Sequence, residues 1–388
     1  MAGLLFAISA HGLGHLGQAA PVCQALYALR PDLPLTIWSE LPTATLERRI
    51  NMPFHHIRQA CDIGLVMHDA LRVNVPASWA LYQAREIAWA EHLSAACQIL
   101  HNTRPALVIS DVGEMPLAAA QALGVPDVAM SSLNWADLAS YYFRDMDGAD
   151  PALSRLAAIY DNTCLALRLT PGMPMRGRIE YAVPPVAAVS TEPQDRLRQR
   201  ILEALSPAHE ERPLILVGMG GIETPLPLAD WPPQTSTTLL VANQHQLPTT
   251  GLSERGIVKA ESIQAATGLG FSDLLAGCDA VICKPGYGTF AEAALASTPI
   301  LYVKRPDWPE QAVLVAWLET HTRCIELPLA DLMQGNLQEA LGRLWAQPEK
   351  PRIASDGAFI AARKILSLLG PSEIKAERLQ QQGCLMHR

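Results

Sequence analysis

The stretch Asp279-Ala280-Val281-Ile282-Cys283-Lys284-Pro285-Gly286-Tyr287-Gly288-Thr289-Phe290-Ala291-Glu292-Ala293 runs from a short apolar segment through a glycine-rich loop into a helix-like sequence. Four consecutive apolar residues bounded by turn formers read as a strand covered on both faces, as in parallel sheets. Gly286 and Gly288 let the loop backbone approach a ligand closely. Thr289 is expected to cap the following helix while its amide meets a diphosphate. Glu292 lies three residues further on, which is capping-box spacing. The same carboxylate could instead accept both hydroxyls of a nucleotide ribose, and the sequence leaves both readings open.

Working outward, the strand–loop–helix pattern recurs along the chain. Residues 213–218 read as a strand ending in Gly218-Met219-Gly220-Gly221, whose amides could cradle a phosphate. Residues 238–242, 256–259 and 300–304 read as further strands, and 271–276, 289–296, 309–318, 330–345 and 358–369 as helices. Asp307-Trp308-Pro309-Glu310-Gln311 follows the strand at 300–304. There an acid and an amide can bind sugar hydroxyls, or serve only as an acidic first helical turn. Upstream, residues 3–9, 35–39, 106–110 and 126–131 read as strands, and 18–29, 79–101, 117–123 and 153–169 as helices. Residues 60–78 and 132–150 carry no clear period. A proline-rich run at 183–193 separates the two halves. The expected domains are 1–185 and 186–370, with the final helix free to pack back on the first, and a loose polar tail at 371–388. Strands alternating with helices in both halves define an α/β protein of two doubly wound parallel-sheet domains facing across a cleft. In such sheets ligands bind beyond the carboxyl ends of the strands, so residues just after strands carry the most information.

The first such loop is Ser9-Ala10-His11-Gly12-Leu13-Gly14-His15-Leu16-Gly17. Gly12, Gly14 and Gly17 also satisfy the G-x-G-x-x-G spacing of a dinucleotide site, with Glu40 near the position of a ribose-binding acid. That makes a nicotinamide or flavin enzyme a rival reading, but one that gives the two histidines no role. Asp111 ends the strand at 106–110, where a carboxylate can orient an imidazole and stabilise its protonated form. Asn134-Trp135 follows the strand at 126–131 and could face the cleft, which the sequence does not decide.

Composition narrows the class. Apolar residues make up 49% and charged residues 18% of 388, which suits a folded chain with large interiors and excludes a disordered one. At roughly 100–200 residues per domain the length fits two domains. A net charge of −8 without a Lys/Arg run argues against a nucleic-acid binder. No apolar run reaches the ~18 residues of a membrane span. Peripheral membrane contact stays open, and the expected location is the cytoplasm. The eight cysteines include no C-x-x-C pair, so they read as reduced thiols without a zinc site.

The order of these motifs resembles the GT-B glycosyltransferases, in the branch of the peptidoglycan N-acetylglucosaminyltransferase and the plant and macrolide glycosyltransferases. A closer likeness is to the glycosyltransferase-like half of plant arabinokinases and to bacterial relatives. It rests on the loop at 14–18, on Ser131–Trp135, and on Lys284-Pro285-Gly286-Tyr287-Gly288-Thr289 with Glu292. The resemblance implies transfer of a sugar from a nucleotide diphosphate sugar, with UDP favoured, to a hydroxyl acceptor, without a metal or other cofactor and with inversion. By that likeness His15 is the general base, Asp111 its partner acid and His11 a rival base. Lys284, Gly286, Gly288, Thr289, Glu292, Gly220 and Gly221 hold the nucleotide, and Glu310 and Gln311 the sugar. Gly14, Asn134 and Trp135 lie on the acceptor side. Lys284 stands where many relatives have Arg or Ser, and Glu310 where Asp is commoner. The expected partners are a nucleotide sugar and a small-molecule or glycan acceptor. Two alternatives use the same cleft: a nucleotide-sugar binding or sensing protein that transfers nothing, and a GT-B nucleotide-sugar epimerase.

Overall fold

A computed structural model describes residues 3–209, 211–222, 224–242 and 252–369. The tail expected at 371–388 lies outside them. The first half contains β1 (Leu4–Ile8), α1 (Gly14–Leu29), β2 (Leu35–Trp38), α2 (Thr43–Glu47), β3 (His55–Ile57), α3 (Val75–Ile87), α4 (Trp89–Thr103), β4 (Leu107–Asp111), α5 (Glu114–Leu123), β5 (Asp127–Ser131), α6 (Trp135–Phe143), α7 (Ala149–Asp161), β6 (Leu165–Leu169) and β7 (Glu180–Val183). The second contains α8 (Gln194–Glu203), β8 (Leu214–Gly218), β9 (Thr238–Val241), β10 (Ile257–Lys259), α9 (Ala260–Thr267), α10 (Phe271–Gly277), β11 (Ala280–Cys283), α11 (Tyr287–Ala296), β12 (Ile300–Tyr302), α12 (Gln311–His321), β13 (Cys324–Glu326), α13 (Leu329–Gln334), α14 (Gln338–Trp345) and α15 (Gly357–Leu366).

The two sheets are the expected doubly wound ones. Seven strands run in the order β3-β2-β1-β4-β5-β6-β7 and six in the order β10-β9-β8-β11-β12-β13, with every pair parallel. The central strands β1, β4, β8 and β11 are buried at every position, which explains their largely apolar sequences; β4 alone ends in buried polar residues, Ser110 and Asp111. Each fully buried Leu, Ile or Phe in them contributes about 1.5–3 kcal/mol. Strand order reverses between β1 and β4 in one sheet and between β8 and β11 in the other. Those two switch points create the crevices that face each other. Helix α1 packs on both α11 and α15, so the last described helix returns to the first half of the molecule.

Several elements differ from the sequence reading. Residues 153–169 are not one helix: α7 ends at Asp161 and Leu165–Leu169 forms β6. Leu-Ala-Leu-Arg-Leu is ambiguous in isolation, and its pairing with β5 and β7 decides it. The helix expected at 79–101 breaks at Ala88 into α3 and α4, and the one at 330–345 breaks at Gly335 into α13 and α14. The stretch at 132–150 contains α6, with Asn134 as its N-cap accepting from the Asp137 amide. Strands β3, β7 and β13 are edges or near-edges of three or four residues, too short to show alternation.

Candidate active site

A cleft of about 1060 Å³, partly open to solvent, lies between the two switch points. From the first half it is lined by His11, Gly12, Gly14, His15 and Gly17. From the second it is lined by Gly220, Gly221, Lys284, Gly286, Gly288, Thr289, Glu292 and Glu310. Thirteen residues singled out in the sequence therefore share this wall. Asp111, Gln311, Asn134 and Trp135 stand behind it. Glu40, the acid of the dinucleotide reading, is exposed and outside it.

His15 sits in the first turn of α1, and its Nδ1 is 3.1 Å from Oδ1 of Asp111 at the end of β4. Both side chains are buried. Burial opposes the imidazolium, but the Asp111 carboxylate outweighs it and raises the His15 pKa, helped by Asp62 and Glu310. The carboxylate is presented from a strained turn: Val112 has φ +65°, a region that penalises a β-branched residue. Tyr160 Oη donates to the Val112 carbonyl and Ser110 Oγ donates to the Gly113 carbonyl at 2.6 Å, which holds that turn. Trp135, whose Nε1 donates to Asp62 at 2.8 Å, places its ring 6.2 Å from that of His15.

His11 meets different surroundings. Its Nε2 lies 3.0 Å from the Leu65 carbonyl, so that nitrogen carries the proton. Burial, His15, Lys284 and Arg305 push its pKa down to about 3. Gly64, at φ +64°, carries the 60–78 loop over the imidazole; a Cβ there would lie 3.1 Å from His11 Cδ2.

Across the cleft, α11 starts at Tyr287 with Gly286 as N-cap and no side-chain cap. The expected cap by Thr289 is therefore corrected. Thr289 is the third helical residue, and the capping box with Glu292 does not form. The amides of Tyr287, Gly288 and Thr289 have no intrahelical acceptor, and together with the helix dipole they suit an anion. Lys284 borders the same loop. Burial and Arg305 lower its pKa to about 7, and it makes no ion pair among the described residues. Gly221 packs against Leu13, where a Cβ would lie 2.7 Å from the Leu13 amide, so the two glycine loops touch across the cleft.

Both acidic candidates of the second half have contacts from the first. Glu292 accepts from Ser272 Oγ at 3.0 Å and lies 3.6 Å from Arg49. Burial raises its pKa against the opposing pull of Arg49. Glu310 accepts from Ser132 Oγ at 2.6 Å and from Trp308 Nε1 at 3.1 Å, and burial raises its pKa too. Gln18 Nε2 donates to Ser132 at 3.0 Å, extending this network into α1. Gln311 does not reach the cleft; its Oε1 accepts from the Arg305 amide. Arg49, Arg305, Trp308, Gln18 and Ser132 line the cleft without having been singled out for it in the sequence, although Gln18, Trp308 and Ser132 lie inside segments that were.

Two facing parallel α/β domains with a cleft at their switch points define the GT-B glycosyltransferase fold, and solved structures agree. The chain is similar to the glycotransferase of kitacinnamycin, with TM-score 0.62 and 13% identity over 95% of this chain and 100% of that one. It is similar to the glycosyltransferase VinC in complex with dTDP, with TM-score 0.53 and 17% identity over 97% and 98%. A UDP-bound glycosyltransferase of Siraitia grosvenorii gives TM-score 0.53 and 13% identity over 95% and 100%. Among curated proteins, L-arabinokinase of Arabidopsis thaliana is 26% identical over 352 residues, 88% of this chain and 32% of that protein. The chain thus spans about a third of the length of that relative. No family model matches the sequence.

Proposed function

We propose that the chain is a glycosyltransferase. It moves a sugar from a nucleotide diphosphate sugar, UDP being the favoured carrier, to a hydroxyl acceptor, with inversion and without a metal. The observation that carries this reading is the His15–Asp111 pair, 3.1 Å apart, in the same cleft as the open N-terminus of α11. Asp111 engages Nδ1, which leaves Nε2 of His15 to take the acceptor proton. The acceptor oxygen then bonds to the anomeric carbon as the bond from that carbon to the diphosphate oxygen breaks on the opposite face. The diphosphate leaves with the electron pair and is received by the Tyr287, Gly288 and Thr289 amides and by Lys284. Glu292 takes the ribose hydroxyls, replacing its contacts with Arg49 and Ser272. Glu310 takes a sugar hydroxyl, with Gln311 fixing the backbone of its segment, and Gly220 and Gly221 lie on the phosphate side. Gly14, Asn134 and Trp135 shape the acceptor side, the last two from behind the wall. The dTDP and UDP bound by two structural neighbours support a nucleotide diphosphate in this cleft.

A thermal-shift panel of UDP, dTDP, GDP, CMP and NAD tests the donor site. A ligand at 100 times its dissociation constant stabilises by about 2.7 kcal/mol. That corresponds to several degrees, at roughly 2–4 °C per kcal/mol. A shift with one nucleoside diphosphate, lost in Glu292→Ala, is expected; no shift with any nucleotide would remove the reading, and a shift with NAD alone would restore the dinucleotide one. EDTA should leave transfer unchanged. A second reading, binding without transfer, is favoured by the curated likeness to a protein named for kinase activity. It predicts the same nucleotide shift but no glycoside with any acceptor.

A further inference from the structure

Arg305 follows β12 and is 3% exposed, yet no carboxylate lies within 4 Å of its guanidinium among the described residues. Its Nε is buried without a hydrogen-bond partner. Its Cζ sits 3.8 Å from the centre of the Trp308 ring, a cation–π contact. Glu310 and Asp69 attract it from a distance, but both are engaged elsewhere. Glu310 accepts from Ser132 and Trp308, while Asp69 accepts from the Leu71 and Arg72 amides and the Arg72 side chain. Burial lowers the Arg305 pKa to about 10, which still leaves it charged at neutral pH. A buried, charged and unpaired arginine in a cleft wall is costly to the fold. Its retention is explained if a bound molecule brings the missing anion.

Arg305 is carried by a different segment from the diphosphate amides, although it lies near enough to Lys284 to lower that residue's pKa. The diphosphate donors belong to the loop between β11 and α11. Arg305 belongs to the segment after β12 that carries Trp308 and Glu310, and Trp308 lies parallel to the His11 ring at 6.3 Å on the base-bearing side. We infer that Arg305 binds a carboxylate on the sugar side of the cleft, so that the substrate class is acidic: a nucleotide diphosphate uronic acid as donor or a uronic acid as acceptor. The planar fork of an arginine donates to both carboxylate oxygens at once, a geometry that a neutral hydroxymethyl group does not satisfy. This inference rests on the nucleotide-sugar reading of the same site.

Calorimetric titration of the full chain with UDP, UDP-glucose, UDP-galactose, UDP-glucuronate and UDP-galacturonate tests it. One uronate is expected to bind at least tenfold tighter than its neutral counterpart. Arg305→Met should bring the pair to parity while UDP affinity stays within threefold, and Arg305→Lys should retain part of the preference. Free glucuronate and galacturonate titrated into UDP-saturated protein identify the other source. Arg305-dependent binding there, without any uronate preference among the nucleotides, would place the carboxylate on the acceptor. Arg305→Met should melt no lower than wild type, because an unpaired buried charge is lost; a lower melting temperature with the preference intact would make the arginine structural. Parity in the wild type with no binding of free uronates, or an equal loss of UDP and uronate affinity in Arg305→Met, overturns the inference. Absence of UDP binding to the wild type overturns the donor reading beneath it, and the inference falls with it.

Discussion

His11 and His15 lie four residues apart, one in the loop after β1 and the other in the first turn of α1, both in the wall of one cleft, and their surroundings drive them in opposite directions. His15 has a buried carboxylate against Nδ1 and is pushed above the usual imidazole range. His11 has a backbone carbonyl against Nε2 and the cations Lys284 and Arg305 nearby, and is pushed down to about 3. Spacing does not separate a base from a packing residue here. The difference is made by what β4 delivers to one ring and the 60–78 loop to the other. A neutral imidazole with so low a pKa is a weak proton acceptor, whereas one oriented and polarised by Asp111 is a strong one.

The largest effect should come from removing the favoured member. His15→Ala is expected to lower transfer by about 10²–10⁴-fold, the usual contribution of a general base, with nucleotide affinity unchanged. His11→Ala should lower it less than tenfold. A reversal of these two rates in an initial-velocity assay would move the base to His11. Asp111→Asn comes next. The acid limb of kcat/KM in the wild type should lie above pH 6.5, because His15 must lose its proton and Asp111 raises the pKa at which it does so. With asparagine the rate should fall about 10²-fold and the limb should move to lower pH. An unmoved limb would show that the carboxylate does not govern the titrating group.

Much of this arrangement is legible in sequence because it depends on where strands end. Asp111 closes a continuous apolar run, and His15 and the 284–292 loop follow similar runs, so doubly wound topology alone brings them to one crevice. The cap at Thr289 was misplaced because an extended glycine at the N-cap lets α11 start two residues earlier. Arg49 and Arg305 carry no local mark. Arg49 follows a short helix and meets Glu292 only because the two domains close on each other, a relation that no spacing encodes. The strain at Val112 is equally silent, since nothing about Asp-Val-Gly demands a positive φ at the valine.

Stability gives a smaller and independent contrast between the rings. The folded-state pKa of His11 is depressed below 6.5, so the unfolded chain binds its proton more readily between about pH 6.5 and 3, and stability is lost as pH falls through that window. His15 is the reverse: its contribution is present below pH 6.5 and is lost as pH rises through its raised folded-state pKa. Denaturant melts of His11→Gln should therefore show a gain over wild type that grows on acidification, reaching about 2–3 kcal/mol near pH 4. His15→Gln should show a loss that is full below pH 6.5 and shrinks as pH rises above it. Parallel pH curves for the two variants would mean that the rings share one environment after all.

The smallest effect tests how the contrast is built. Tyr160 touches neither histidine; its hydroxyl donates to the Val112 carbonyl and receives the Trp135 amide at 3.4 Å. Tyr160→Phe leaves that buried carbonyl unpaired, at a cost of about 1–2 kcal/mol in denaturant melts. If the hydroxyl holds the turn that aims Asp111, the acid limb of kcat/KM should also move to lower pH, by less than in Asp111→Asn. A loss of stability with an unmoved limb would make Tyr160 a support of the fold alone. The strained Val112 turn would then persist through its other restraint, the bond from Ser110 Oγ to the Gly113 carbonyl.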